Sequence, residues 1–189
     1  MGKTVEEIIK ETDNFIAAIQ SGDIEIFYKY ANLLLPNEII IDFGTGQAKT
    51  AIAFGLSNPQ IIVYTFEIGL MKNHRIPDDE HVLVVNRRLR GHGVDNVIFV
   101  LGDSLEVYPD WKKEIGILNI DSAHSYEQTK QEILRWAPFV KRGGYLLFHD
   151  YILTDKVPGV KQAVDELMGN PNEYKYLEQK GLTSVWQKL

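Results

Sequence analysis

The chain of 189 residues contains no cysteine. This absence excludes disulfide bonds, zinc sites built from thiolates and every mechanism that needs a thiolate nucleophile. Long apolar runs are also missing, because nowhere do 18 apolar residues follow one another, so we expect no transmembrane helix. Charged residues interrupt the first turns and leave no secretory signal, namely Lys3, Glu6, Glu7 and Lys10. We therefore expect a cytoplasmic protein with no membrane partner.

Positive charge is in short supply as well. The chain has 20 Lys and Arg against 26 Asp and Glu, which gives a formal net charge of −6. Proteins that bind nucleic acids depend on clustered Lys and Arg, so this balance argues against a nucleic-acid partner. The densest basic group, Arg87, Arg88 and Arg90, fits a solvated helix face, although an anionic substrate would also suit it. The remaining composition is typical of one globular domain, residues 1–189.

Two helices are predicted before the first strand, in an extension that covers residues 1–35. Thr4 to Glu7 fit a capping box for the first helix, and Gly22 is expected to break that helix. Asp23 is then expected to be the N-cap of the second helix. We expect the two helices to cover one edge of the core or to form a lid over a site.

From Glu38 onward, short apolar runs alternate with helical patterns. The runs are nearly continuous in apolar residues, as expected of strands that are buried on both faces. This alternation predicts a doubly wound, mostly parallel sheet in an α/β fold, and the last two runs flank Gly181 as an antiparallel pair. The predicted strands are 39–41, 61–66, 97–101, 115–120, 145–148, 174–177 and 183–187, and the helices between them are 49–57, 78–91, 125–137 and 158–168.

The stretch DFGTGQAKT, residues 42–50, lies close to three nucleotide-binding patterns. A P-loop requires glycines at the places of Phe43 and Ala48, so this pattern fails twice. A dinucleotide fingerprint of the form G-x-G-x-x-G requires a third glycine at the place of Lys49, so it also fails. The pattern that remains is an acid followed by G-x-G at the end of a strand.

The charge of Asp42 distinguishes between the possible cofactors. A carboxylate that points into the crevice would repel a pyrophosphate and attract a cation. Two unit charges about 4 Å apart interact by roughly 4 kcal/mol at an effective dielectric of 20. The cofactor expected beside Gly44 and Gly46 therefore carries positive charge, as S-adenosylmethionine does on its sulfonium and ammonium groups. Taken alone, Asp42 would also suit a turn or a helix N-cap.

With this glycine turn and an acid after each of three strands, residues 38–150 resemble the class I S-adenosylmethionine-dependent methyltransferases. The resemblance implies a Rossmann-like seven-stranded sheet in the order 3-2-1-4-5-7-6. It also implies that Glu67 binds the ribose hydroxyls and that Asp103 and Ser104 lie near the adenine. Ala48 replaces a third glycine of many members. The cofactor site predicted in this way consists of Asp42, Phe43, Gly44, Thr45, Gly46, Glu67, Asp103, Ser104 and Asp121.

A second group of polar residues follows the fourth and fifth predicted strands. Asp121 and His124 fall in the short loop before a helix, and His149 with Asp150 ends the next apolar run. Carboxylates suit a hard divalent ion such as magnesium, and an imidazole ligand widens the choice to manganese, iron or zinc. The predicted metal ligands are Asp121, His149 and Asp150. The alternative is that His149 and Asp150 cap a loop while His124 bonds to the backbone.

The pattern I-D-x-x-H-S-Y-E, a tryptophan-containing helix, Gly-Gly and then His-Asp narrows the resemblance. It is similar to the metal-dependent O-methyltransferases that act on sugars of natural products, with cephalosporin-hydroxylase-like relatives. This resemblance implies magnesium bound by Asp121 and by an acidic pair after the next strand, with His124 as the base. His149 stands where the first acid of that pair often is. Catechol-type enzymes have lysine at the place of His124 and are therefore more distant.

These residues predict the O-methylation of a small-molecule hydroxyl. A divalent ion would lower the pKa of the hydroxyl and His124 would accept its proton, with Asp121 as the second catalytic residue. Cytosine C5 methylation needs a cysteine, and the proline-containing loop of amino-nitrogen methyltransferases is absent after Asp121. A methyltransferase without metal, and a hydroxylase-like or non-catalytic relative that binds S-adenosylmethionine, remain as alternatives. The sequence also leaves open whether the chain forms a homo-oligomer.

Overall fold

The structure is a computed structural model that describes residues 2–15, 17–68, 78–152 and 158–189. The helices of these residues are α1 (Val5–Thr12), α2 (Ser21–Ala31), α3 (Lys49–Ser57), α4 (Asp78–Gly91), α5 (Tyr126–Trp136) and α6 (Pro158–Met168), with a 3₁₀ turn at Ala137–Phe139. The strands are β1 (Ile39–Phe43), β2 (Ile62–Glu67), β3 (Val97–Leu101), β4 (Ile115–Ile120), β5 (Val140–Phe148), β6 (Tyr174–Lys180) and β7 (Thr183–Lys188). None of these helices is long and apolar enough to cross a membrane.

The strands form one seven-stranded sheet in the order β3-β2-β1-β4-β5-β7-β6, which confirms the predicted order. The strands from β3 to β5 are mutually parallel. β7 is antiparallel to both of its neighbours, β5 and β6. The strand order reverses between β1 and β4, and open α/β sheets bind their ligands above the carboxyl ends of the strands at such a point.

Both faces of the sheet are covered by helices, which explains why the central strands are continuous in apolar residues. β1 and β4 are buried along their whole length. On one face, the helices α1 to α4 pack around Phe27 and Phe54. On the other face, α5 and α6 pack around Trp136, which is completely buried. Each such side chain contributes about 1.5–3 kcal/mol when it leaves water.

β5 begins at Val140 rather than at Tyr145, where the sequence pattern placed it. Val140 pairs with Ile115 and Tyr145 pairs with Ile117, so the residues between them form an irregularity in the ladder. Gly143 has a φ of 78°, a left-handed value that glycine adopts without strain. The glycines therefore allow a bulge inside the strand instead of preceding it.

The boundary between α1 and α2 also differs from the prediction. Thr4 and Glu7 form the predicted capping box, but α1 ends at Thr12 and Gly22 lies in the first turn of α2. The prediction that Gly22 breaks the first helix was therefore wrong. Glycine is required there for another reason, because a Cβ at residue 22 would lie 2.9 Å from the backbone nitrogen of Gly181.

Asp23 is not the N-cap of α2, because Gln20 occupies that place. The Asp23 side chain is completely buried. Its carboxylate accepts hydrogen bonds of 2.8 Å from the backbone N–H of Gln20, the backbone N–H of Leu182 and the hydroxyl of Thr183. Asp23 therefore joins the start of α2 to the turn between β6 and β7, which local sequence does not reveal.

Candidate active site

A crevice of about 640 Å³ opens at the carboxyl ends of β1, β2, β3 and β4. Most of the residues that the sequence predicted for the site line this crevice, namely Phe43, Gly44, Gly46, Glu67, Asp103, Ser104, Asp121 and His124. Four other predicted residues are not part of its lining, namely Asp42, Thr45, His149 and Asp150. The strand ends thus bring the cofactor motif and the His124 loop to one cavity.

The glycine turn after β1 forms one wall of the crevice. Gly44 has a φ of 91°, and a Cβ on it would lie 1.8 Å from the carbonyl oxygen of Asp121, so no larger residue fits. Gly46 has a φ of 47°, and a Cβ there would meet nothing within 4 Å. The Glu67 carboxylate accepts a hydrogen bond of 2.9 Å from the Gly46 N–H. The turn therefore presents bare backbone to a ligand, with Glu67 beside it.

Asp42 lies beneath the crevice rather than in it. Its side chain is 0% exposed, and its two oxygens accept hydrogen bonds of 2.8 Å from Asn119 of β4 and Thr65 of β2. Burial raises the pKa of Asp42 to about 7, although both hydrogen bonds favour the charged form. Thr45 lies behind the turn as well, with its hydroxyl 2.7 Å from that of Thr65. The Asp42 side chain therefore links β1 to its two neighbouring strands, β2 and β4.

Other carboxylates therefore supply the negative charge that a cationic cofactor would meet in the crevice. The lining of the crevice contains Glu67, Asp103, Asp121 and Glu132, and none of the described lining residues is Lys or Arg. Carboxylates in a partly enclosed cavity attract cations and repel phosphates. The crevice favours a positively charged ligand, as the sequence predicted, although Asp42 is not the residue that faces it.

Lys49, the cation nearest to the glycine turn in sequence, is not among the residues that line the crevice. Its buried ammonium donates a hydrogen bond of 2.9 Å to the carbonyl oxygen of Ile19. Ala17 and Ala18, in the segment between α1 and α2, line the crevice. Lys49 therefore anchors this segment beside the cavity.

Asp121, His124 and Asp150 converge beside the crevice, with one ligand atom of each residue within 4.8 Å of the others. The Nε2 atom of His124 lies 3.3 Å from Asp121 Oδ1 and 3.3 Å from Asp150 Oδ2. The hydrogen bond with Asp121 raises the pKa of His124 above its ordinary value, against the effect of burial. His124 and Asp150 have φ values of 57° and 54°, and such strained backbone is concentrated at functional sites.

His149 lies under this group and does not belong to it. Its imidazole is 1% exposed, with Nδ1 at 3.1 Å from Asp121 and 3.5 Å from Asp150, and with Nε2 at 3.7 Å from Asp23. Burial opposes a charged imidazole, but the three carboxylates outweigh it and raise the pKa of His149 to about 12. Its position among three carboxylates favours His149 as a counter-ion of these groups.

Glu132 is a residue of the crevice that sequence reasoning missed. Its side chain is completely buried, yet it borders the cavity. It accepts hydrogen bonds of 2.5 Å from the Ser104 hydroxyl, 2.6 Å from the Ser122 hydroxyl and 3.1 Å from the Gln128 amide. Burial raises the pKa of Glu132 despite these donors. The sequence contained one indication that Glu132 is buried, because Glu132 lies four residues before Trp136 and therefore on the same face of α5.

Residues 49–151 match the family model described as a methyltransferase domain. The match covers more than half of the chain. The chain belongs to the methyltransferase domain family. Its cofactor is accordingly S-adenosylmethionine, as the sequence predicted.

Three solved structures share the fold of this methyltransferase domain. A candidate caffeoyl-CoA O-methyltransferase from Staphylococcus aureus is 14% identical, with a TM-score of 0.71 over 99% of this chain and 93% of its own. CalS11, a TDP-rhamnose 3'-O-methyltransferase of calicheamicin biosynthesis, is 16% identical, with a TM-score of 0.68 over 97% and 92%. An rRNA methylase from Streptococcus thermophilus is 16% identical, with a TM-score of 0.65 over 88% and 96%. At these identities the likeness establishes the fold alone.

The crevice of this methyltransferase domain fits S-adenosylmethionine on three observations. The carboxylates of Glu67, Asp103 and Asp121 give its lining negative charge, which suits a cofactor that carries positive charge. The space beside Gly46 leaves room for a ligand against the backbone. The cavity volume of about 640 Å³ also lies within the range of about 300–1,000 Å³ that small-molecule sites occupy.

Proposed function

We propose that this methyltransferase transfers a methyl group to a hydroxyl of a small molecule, such as a sugar or another natural product, with the help of a divalent ion such as magnesium. The observation that carries the proposal is the convergence of Asp121, His124 and Asp150 beside the cofactor crevice. The two carboxylates suit a hard divalent ion such as magnesium or manganese, and the imidazole of His124 lies beside them.

Each member of this group has a distinct role in the proposed reaction. Asp121 and Asp150 would hold the ion, which would lower the pKa of a nearby acceptor hydroxyl. The His124 side chain is 39% exposed, so it is accessible to an acceptor and would accept the hydroxyl proton. The acceptor oxygen then forms a bond to the methyl carbon, the carbon–sulfur bond breaks, and S-adenosylhomocysteine leaves as a neutral thioether.

For the cofactor, we propose roles that follow its extended shape along the crevice. Glu67 binds the ribose hydroxyls, while Phe43 and the Gly44 to Gly46 turn face the methionine portion. Asp103 and Ser104 face the adenine. This arrangement holds the methyl group near His124, and holding two reactants in position supplies much of the acceleration in a bimolecular transfer.

A methyltransferase without metal is the second candidate, and His149 is the observation that favours it. Its imidazolium lies 3.1 Å from Asp121 Oδ1 and 3.5 Å from Asp150 Oδ2, so it already compensates part of the negative charge that a metal ion would meet. In that case His124 acts as the base alone, and the two carboxylates only orient it.

A nucleic-acid acceptor is the alternative that one of the structural relatives raises, because that relative is an rRNA methylase. The net charge of −6 and the acidic crevice favour a small acceptor instead. The likeness in fold does not distinguish between the two, so both classes of acceptor belong in the test.

The release of S-adenosylhomocysteine tests the proposal with glycosides, phenols and rRNA as acceptors, each with magnesium and with a chelator. We expect turnover of a hydroxyl acceptor that requires magnesium and that falls at least about tenfold in Asp150→Asn. Asp110→Asn, which changes an exposed carboxylate, is the matched control and should retain full activity. Full turnover in the chelator would favour the candidate without metal, and methylation of rRNA alone would refute both candidates.

A further inference from the structure

The start of α5 departs from a common capping arrangement in a way that concerns the crevice. Ser125 caps the helix by accepting a hydrogen bond of 3.2 Å from the Gln128 N–H. In a complete capping box, the Gln128 side chain would return to the Ser125 backbone. Instead, its amide donates hydrogen bonds of 3.1 Å to Glu132 and 3.3 Å to the Ser104 hydroxyl. Gln128 thus completes a polar cluster at the crevice wall.

Glu132 determines which way the hydroxyl hydrogens of this cluster point. A serine hydroxyl has one hydrogen and two lone pairs. The hydrogens of Ser104 and Ser122 are directed to the two carboxylate oxygens of Glu132, at 2.5 Å and 2.6 Å. Both amide hydrogens of Gln128 are engaged as well, one by Glu132 and the other by Ser104. The side chains of this cluster therefore have only lone pairs to offer a ligand in the crevice.

The acceptor wall, meaning Ser104 after β3, Ser122 after β4, and Gln128 and Glu132 of α5, borders the crevice. We propose that Glu132 is a positioning residue that gives this wall its selectivity for the 6-amino group of the adenine of the cofactor. The 6-amino group donates hydrogen bonds, whereas the 6-oxo group of hypoxanthine accepts them and would face lone pairs. The inference rests on the proposed position of the adenine beside Ser104, and it is independent of the metal and of the methyl acceptor.

Calorimetric binding of two probes tests this inference without any turnover. The probes are S-adenosylhomocysteine and S-inosylhomocysteine, which differ in the 6-amino or 6-oxo group of the base and in the hydrogen that hypoxanthine carries on N1. We expect the wild-type protein to bind the adenosyl compound at least about tenfold more tightly, since a buried hydrogen bond replaced by two opposed acceptors has a cost of that order. In Glu132→Gln, the new amide would donate to a serine and turn its hydrogen toward the crevice, so the ratio should fall below about threefold.

Two controls separate selectivity from damage to the fold. Glu127→Gln changes an exposed carboxylate on the same helix and should keep the wild-type ratio. If Glu132→Gln fails to fold, Ser122→Ala and Ser104→Ala remove the acceptor atoms directly. These two variants should also lower the ratio of the affinities for the adenosyl and inosyl probes.

The inference is overturned if the wild-type protein binds both probes equally, or if these variants weaken both probes by the same factor. Equal binding would leave the proposed function intact. A wild-type protein that bound neither probe would refute the cofactor assignment and the inference with it.

Discussion

At the scale of single residues, Asp42 carries a carboxylate where water does not reach, between Thr65 of β2 and Asn119 of β4. Burial raises its pKa from 3.8 to about 7, so the folded protein retains a proton that the unfolded chain loses. A raised pKa contributes stability that is fully present below the unfolded pKa of 3.8 and is lost progressively as the pH rises to about 7.

We therefore expect Asp42→Asn to remove part of the pH dependence of stability. The amide stays neutral at every pH, and the Thr65 hydroxyl can turn its hydrogen toward Thr45. Between about pH 4.5 and 6.5, the wild type should lose about 1.4 kcal/mol of unfolding free energy per pH unit relative to the variant. Urea unfolding at a series of pH values measures this, with exposed Asp95→Asn as the control. Parallel pH curves for the wild type and Asp42→Asn would show that Asp42 is charged in the folded protein.

His124 is the residue on which the proposed chemistry depends most. We expect His124→Gln to lower turnover at least about 100-fold, because the acceptor hydroxyl loses its base. The affinity for S-adenosylhomocysteine should stay within about twofold of the wild-type value, since His124 is proposed to contact the acceptor and not the adenosine. The control is His92→Gln, because His92 lies instead against Glu11 and Phe15. Full turnover by His124→Gln would mean that another group is the base.

At the scale of structural elements, the N-terminal helices are tied to the strand that carries the proposed metal ligand. Asp23 at the start of α2 joins the turn between β6 and β7 by two hydrogen bonds. The same carboxylate lies 3.7 Å from Nε2 of His149, next to Asp150 at the end of β5. The N-terminal extension thus contacts His149, the residue next to the proposed metal ligand Asp150. It therefore contributes to the structure of the site in addition to bordering the crevice.

Replacement of Asp23 should therefore be costly. We expect Asp23→Ala to lower the unfolding free energy by about 3 kcal/mol or more, because it leaves the buried His149 imidazole and three hydrogen-bond donors without this partner. Glu25→Ala, on the same helix, breaks an exposed pair with Lys180 and should cost less than about 1 kcal/mol. Urea unfolding of both variants checks the difference, and equally small losses would show that the buried carboxylate contributes little.

At the scale of the whole molecule, strand order was predictable because buried parallel strands leave continuous apolar runs, as in β1 and β4. The start of β5 was not predictable, because the pairing of Val140 with Ile115 depends on a bulge that no local pattern marks. The end of α1 was missed for a related reason. The place of Gly22 is set by its contact with Gly181, which lies at the far end of the chain.

The same distinction holds for the site. Glu67 and Asp121 were found because the ends of parallel strands meet at one edge of a sheet, so position along the chain predicts position in space. Glu132 was missed because its partner Ser104 is 28 residues away, and a lone Glu in a helix is typical of a solvated face. The burial of Asp42 was missed because Thr65 and Asn119 reach it from neighbouring strands.

The central claim is that Asp121 and Asp150 bind a divalent ion beside the methyl donor. Electron paramagnetic resonance of Mn²⁺, titrated with protein that is saturated with S-adenosylhomocysteine, tests it most directly. We predict one bound Mn²⁺ per chain, binding at least about tenfold weaker in Asp121→Asn and Asp150→Asn, and no change in Asp110→Asn. A wild-type protein that left all Mn²⁺ free, or carboxylate variants that bound it as tightly as the wild type, would contradict the account.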